Sequence, residues 1–236
     1  MIKSLNRRLL IGAAALYVTA EAVLGVLVQT TSGRACAIIS YSCIILNMIF
    51  ALILTTGKAK STLTSLGLLF TLFADYFLVY SEDAVMLPAM CFFNLTQLAY
   101  AVRIFLSVGS RRERIVQLSV RAAVMILGAT LPVIVLGKGA DALSVISIMY
   151  FANLLLNAVL ACVGFKRSPF LAIGLLLFIG CDLFVGFGAL HMYFTITEGS
   201  LLHALAYPAI NVAWLFYVPS QALRTLSVLK SKLELL

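Results

Sequence analysis

The stretch Gly67-Leu68-Leu69-Phe70-Thr71-Leu72-Phe73-Ala74-Asp75 decides how the chain is read. It places a carboxylate inside a long apolar run, residues 63–80, with no basic residue in the same run. Gly67, Thr71 and Asp75 follow at i, i+4 and i+8, so they share one face of a helix whose other faces are greasy. A helix of this kind is solvated by lipid and keeps its polar stripe for other helices.

The rest of the chain agrees. Of its 236 residues 63% are hydrophobic and only 11% charged, with a mean hydropathy of +1.09. An ordinary soluble domain carries about 25% charged residues, so a water-soluble enzyme, a disordered chain and a disulfide scaffold are all excluded. Eight stretches are long and apolar enough to be read as spans: 9–30, 36–55, 63–80, 84–108, 116–136, 143–165, 169–190 and 201–223. Short breaks with turn chemistry separate them, such as Gly57-Lys58 and Gly137-Lys138-Gly139. The expected fold is all-α, a polytopic bundle of eight transmembrane helices forming a single membrane domain, 1–236.

Net charge is +8, from 17 Lys+Arg against 9 Asp+Glu. With the N-terminus in the cytoplasm, 13 of the 17 basic residues fall on that side, Arg224 among them, and only Arg34 and Lys138 fall outside. Arg103 and Arg121 lie in spans, near enough to the inner edge to snorkel. The positive excess is therefore read as orientation, with both termini cytoplasmic, and no nucleic-acid partner is expected. The tail 225–236 is read as a short amphipathic segment on the inner surface. The cell membrane is the expected location.

An internal repeat follows from self-comparison. Gly174-Leu175-Leu176-Leu177-Phe178-Ile179-Gly180-Cys181-Asp182 repeats the first stretch, with Gly174 answering Gly67 and Asp182 answering Asp75. At the same offset Leu95-Thr96-Gln97-Leu98-Ala99-Tyr100 meets Leu202-His203-Ala204-Leu205-Ala206-Tyr207. Two parallel four-helix halves, about 1–115 and 116–236, are expected.

Three acids fall within spans: Glu21, Asp75 and Asp182, all at nearly the same distance from the start of their spans. Charges in the hydrocarbon core cost at least ~2.5–3.5 kcal/mol each, which makes them functional candidates. If their helices are neighbours, the three meet at one level. Asp75 and Asp182, with no buried Lys or Arg expected at that depth, would not both ionise comfortably. One protonated acid beside one carboxylate suits general acid and base catalysis, and equally a proton-coupled transporter. Stripes at Tyr17/Glu21, at Tyr150/Asn153/Asn157 and at Tyr207/Asn211, with Gln221 further on, are read as cavity lining or interhelical hydrogen bonds. His191 and His203 have no partners at metal-ligand spacing, so no metal is expected.

These residues resemble the lysoplasmalogenase (YhhN) family of membrane proteins. The first stretch is similar to that family's "G-hydrophobic-S-x-x-G-D" motif. Phe92, Phe93, Gln97, Leu98 and Tyr100 sit where the family has a Phe-rich stretch ending in "H-x-x-Y". The second stretch is close to "G-x-x-x-F-x-x-S-D", and Tyr217-Val218-Pro219-Ser220-Gln221 to "Y-x-x-A-Q". Gln97 stands in place of the expected His, Ala74 of a Gly and Cys181 of a Ser.

The resemblance implies hydrolysis of the vinyl-ether bond of lysoplasmalogens, with no cofactor. It makes Asp75 and Asp182 the expected catalytic acid and base. Glu21, Gln97, Tyr100, Tyr207, Asn211 and Tyr217 become the expected substrate-binding residues. A lysophospholipid substrate and the surrounding membrane lipids are the expected partners. A small proton-coupled transporter and a lipid-binding member without catalysis remain open, the latter because Gln97 removes a titratable group.

Overall fold

The computed structural model describes residues 2–81 and 85–233, and the side chains of 7–81, 85–229 and 232–233. Among these residues there is no strand. The helices are α1 (Ile2–Thr30), α2 (Gly33–Leu54), α3 (Ala59–Asp75), α4 (Met86–Phe105), α5 (Arg111–Leu136), α6 (Ala142–Val163), α7 (Pro169–Ala189), α8 (Leu201–Ala206) and α9 (Val212–Leu233). The turns begin where glycine permits positive φ, as at Gly57 (+73°) and Gly137 (+55°).

Among the described residues six helical stretches are long and apolar enough to cross a membrane: Arg7–Thr30, Gly33–Leu54, Ala59–Tyr80, Arg111–Gly139, Ala142–Val163 and Pro169–Met192. The protein is thus an integral membrane protein. The other two long helices, α4 and α9, have 20 and 22 residues but are not among these six stretches. The reason lies in what they bury. On α4 these residues are Thr96, Gln97 and Arg103; on α9 they are Ser220, Gln221, Arg224 and Thr225. Large aliphatic side chains instead cover the outside, with Leu16 74%, Ile134 77% and Val163 83% exposed. Such a surface fits lipid, not water.

Two pairings run closest, α3 along α4 and α7 along α9, with α6 between α4, α5 and α7. Both close pairings depend on glycine. A Cβ on Gly67 would lie 2.7 Å from the Tyr100 ring, and one on Gly174 would lie 3.1 Å from the Ser220 carbonyl oxygen. The main core fills the space between α2, α3, α4, α6, α7 and α9, with Phe93, Leu154, Leu175 and Phe178 at its centre. A smaller core joins α1, α2 and α9, where Tyr17 stacks on Phe50 at 4.3 Å.

Three expectations need correction. The eighth stretch, 201–223, is not one helix: α8 ends at Ala206, and the chain resumes helix only at Val212. Pro208 explains the break, because it lacks an N–H and drives Tyr207 out of the helical region, to φ −128° and ψ 63°. The tail is not a separate surface segment either. Thr225, Ser227, Val228 and Leu229 are buried within α9, while 234–236 lie outside the described residues. Finally, Arg103 does not snorkel. It is buried, and its guanidinium donates to Thr64, Ser168 (3.0 Å) and Ser227 (2.8 Å).

Candidate active site

Asp75 closes α3, and the helix beyond it widens into a π turn over Tyr76–Tyr80, where the Ser81 N–H reaches back to the Tyr76 carbonyl at 2.8 Å. Such turns re-aim side chains and recur at functional sites. Asp182 sits midway along α7, beside Cys181. The two carboxylates, brought from helices distant in sequence, line one cavity of about 720 Å³. That is the size range of small-molecule sites. Its walls are otherwise mostly apolar, with Met90, Phe93, Leu131, Phe151, Leu183 and Trp214 among them.

Each carboxylate has its own tyrosine. The Tyr217 hydroxyl on α9 donates to Asp75, and the Tyr150 hydroxyl on α6 donates to Asp182. The Tyr217 ring stands edge-on to Trp214 at 5.0 Å and packs against Phe178 at 5.8 Å, which holds its hydroxyl in place. A hydrogen bond from tyrosine is among the few ways an acid in an apolar cavity keeps a partner. Tyr217→Phe is expected to lower any acid-dependent turnover by roughly 10–100-fold through that lost bond. Michaelis–Menten analysis checks this: kcat should fall more than KM rises.

The other expected site residues are scattered. Gln97 and Tyr100 are fully buried on α4, inward of the cavity and outside its lining. Gln97 Oε1 accepts from Asn157 Nδ2 at 3.0 Å. Glu21 does not join the two aspartates. It accepts from Asn47 Nδ2 at 3.0 Å, and Asn47 Oδ1 in turn accepts from Tyr17 and Thr225. The helix α1 packs on α2 and α9, so the shared depth of the three acids does not make them neighbours. Tyr207 is 54% exposed and Asn211 is exposed, its main chain held by Gln29 through bonds of 2.9 and 3.2 Å. The break at Pro208 swings both away from the cavity, so the Tyr207 match to Tyr100 has no counterpart in position.

Two residues were not among the expected site. Tyr150 was visible only as part of a polar stripe on α6. Charge counting places Arg224 with the cytoplasmic positive charges, yet it is 0% exposed and lies over the Phe178 ring at 4.0 Å. Its spacing from Tyr217 and Gln221, i, i+4 and i+7, was the available signal.

At the cavity mouth the segment after α7 is tied to the start of α6. The Tyr193 hydroxyl donates to Asp141 Oδ1 at 3.0 Å, and the Ser144 N–H donates to the same carboxylate at 2.8 Å. Asp141 and Ser144 form a capping box. The Ser144 N–H and then its hydroxyl hold the Asp141 carboxyl below the usual carboxylate range. A lowered folded value means that the contribution is complete above about pH 4 and is lost as pH falls through the lowered value. Melting temperature followed from pH 6 to pH 2.5 should drop less steeply in Asp141→Asn than in the native chain.

Fold and site together define a helical integral membrane protein in which an apolar cavity holds two tyrosine-bonded carboxylates. Residues 39–228 match the YhhN family, and the chain belongs to that family. No curated protein and no solved structure matches it.

Proposed function

We propose that the chain is a membrane hydrolase acting on the vinyl-ether bond of lysoplasmalogen-type lysophospholipids, with Asp75 and Asp182 as its acid and base. The observation that carries this reading is the placement of both carboxylates in the wall of one apolar cavity, each hydrogen-bonded to a tyrosine. An enol ether hydrolyses when a proton adds to the double-bond carbon farther from oxygen, the one that carries the alkyl chain, leaving an oxocarbenium ion at the carbon bonded to the ether oxygen. Water then attacks that cation and gives up a proton, and the resulting hemiacetal collapses to an aldehyde and an alcohol. One carboxylic acid supplies the first proton. The other, as carboxylate, stabilises the cation and takes the proton from water. Protons balance over the cycle, so no cofactor is required.

The apolar lining suits a single alkyl chain that enters sideways from the bilayer. The reading takes the eight long helices as spans, both termini cytoplasmic, with the cavity in the outer half of the membrane. Two parallel halves, about 1–115 and 116–236, remain part of it, with the Asp75 stretch of α3 corresponding to the Asp182 stretch of α7. Purified chain in detergent or nanodiscs, given a vinyl-ether lysolipid, should release a fatty aldehyde. A transporter using the same acids would give no aldehyde but a proton or solute flux in proteoliposomes.

A further inference from the structure

Inward of the two carboxylates lies a group of polar side chains that the packing leaves unsatisfied. Arg224 is wholly buried, and among the described residues Nε, Nη1 and Nη2 find no hydrogen-bond partner. Its guanidinium rests on two aromatic faces, 4.0 Å from the Phe178 centroid and 5.6 Å from that of Tyr100. Among the same residues the Tyr100 hydroxyl has no partner, nor does either of the amide atoms of Gln221, one turn before Arg224 on α9. Gln97 Nε2, one turn before Tyr100 on α4, is also unpaired.

The buried guanidinium of Arg103, by contrast, donates to three hydroxyls. Leaving a cation and several polar atoms unpaired in a lipid-solvated bundle is strongly unfavourable. The group is rich in donors, from one guanidinium, two carboxamides and a phenol. Such a set matches a ligand that carries negative charge on several oxygens, and a planar guanidinium fits phosphate oxygens in particular.

We propose that Arg224, with Gln221 and Tyr100, binds a phosphate group, and that the phosphodiester of the lysolipid is its source. The second half rests on the hydrolase reading. Phe178, under the guanidinium, precedes Asp182 by four residues, roughly 6 Å of helix rise. In a glycerolipid five bonds separate the ether oxygen from phosphorus, a span on the order of 6 Å at ordinary bond lengths and angles. A lipid whose chain fills the cavity and whose vinyl ether meets the carboxylates would thus bring its phosphate to Arg224.

The test uses the purified full chain and three probes, read by concentration-dependent thermal stabilisation. One is a saturated 1-O-alkyl lysophosphatidylethanolamine, which has no vinyl bond to cleave. The second is the 1-O-alkylglycerol of equal chain length, which lacks phosphate, and the third is inorganic phosphate. The native chain is expected to bind the phospholipid at least about tenfold more tightly than the alkylglycerol. Arg224→Gln should erase that preference and leave alkylglycerol binding unchanged, while Arg224→Lys should keep part of it. Equal affinity of the native chain for both lipids, without stabilisation by phosphate, overturns the proposal and needs no variant that folds. Loss of both lipids alike in a folded Arg224→Gln chain also overturns it. Stabilisation by inorganic phosphate that depends on Arg224, with equal lipid affinities, supports the anion site and overturns its assignment to the lipid. Because no probe is cleaved, these outcomes stand apart from aldehyde release: a chain that prefers the phospholipid but makes no aldehyde refutes the hydrolase reading alone.

Discussion

Asp75→Asn and Asp182→Asn are each expected to lower aldehyde release by about 10²–10⁴-fold, the range over which one positioned acid or base acts. Asparagine keeps the shape of aspartate and an oxygen that accepts the tyrosine hydrogen bond, so each variant should still fold around its cavity. What it cannot do is cycle a proton. Since the two groups act on one another's product, the double variant should be little slower than the poorer single one. The measurement is initial aldehyde release at saturating substrate, with lipid-induced stabilisation as the control for an intact cavity. Full activity in both single variants would sink the paired-acid mechanism.

Gly174→Val is expected to destabilise the chain by roughly 3 kcal/mol or more, at or beyond the usual upper range for overpacking. A Cβ at this position would lie 2.9 Å from Arg224 Cγ, 3.1 Å from the Ser220 carbonyl oxygen and 3.3 Å from the Arg224 amide nitrogen. Two of those three atoms are main chain, so α7 and α9 themselves would have to separate. Ser220 donates its hydroxyl to the Gly174 carbonyl at 2.8 Å, a bond that the separation would also break. Gly12→Val serves as the comparison, because nothing lies within 4 Å of a Cβ there. Melting of the purified variants in detergent should show a large drop for Gly174→Val and a small one for Gly12→Val.

Much of the site was legible in the chain itself. Asp75 and Asp182 stood out because a carboxylate within an apolar run has few structural uses, and the flanking Gly-Leu-Leu repeat marked both. Tyr217 came through the family motif. Arg103 and Arg224 were misread for one reason: charge counting assigns a basic residue to the nearer membrane edge, whereas a buried polar neighbourhood can hold it deeper. Tyr207 and Asn211 lie outside the cavity because Pro208 breaks the helix between them, an effect that the match over 202–207 stops short of.

By itself the sequence determined that the protein belongs in a membrane, that its helices carry buried carboxylates, and which face of each helix is polar. Lipid solvation demands apolar runs, and the helical period places side chains on faces, so both can be read along the chain. Tertiary structure alone decided which polar faces meet. It joined Asp75 to Tyr217 and Asp182 to Tyr150, sent Glu21 to Asn47, and set Arg224 beneath the cavity on Phe178. The physical reason is that the order in which helices pack depends on where backbones can approach closely. At Gly67 and Gly174 that approach is set by Tyr100, Ser220 and Arg224, side chains and backbone of other helices that no local pattern around either glycine announces.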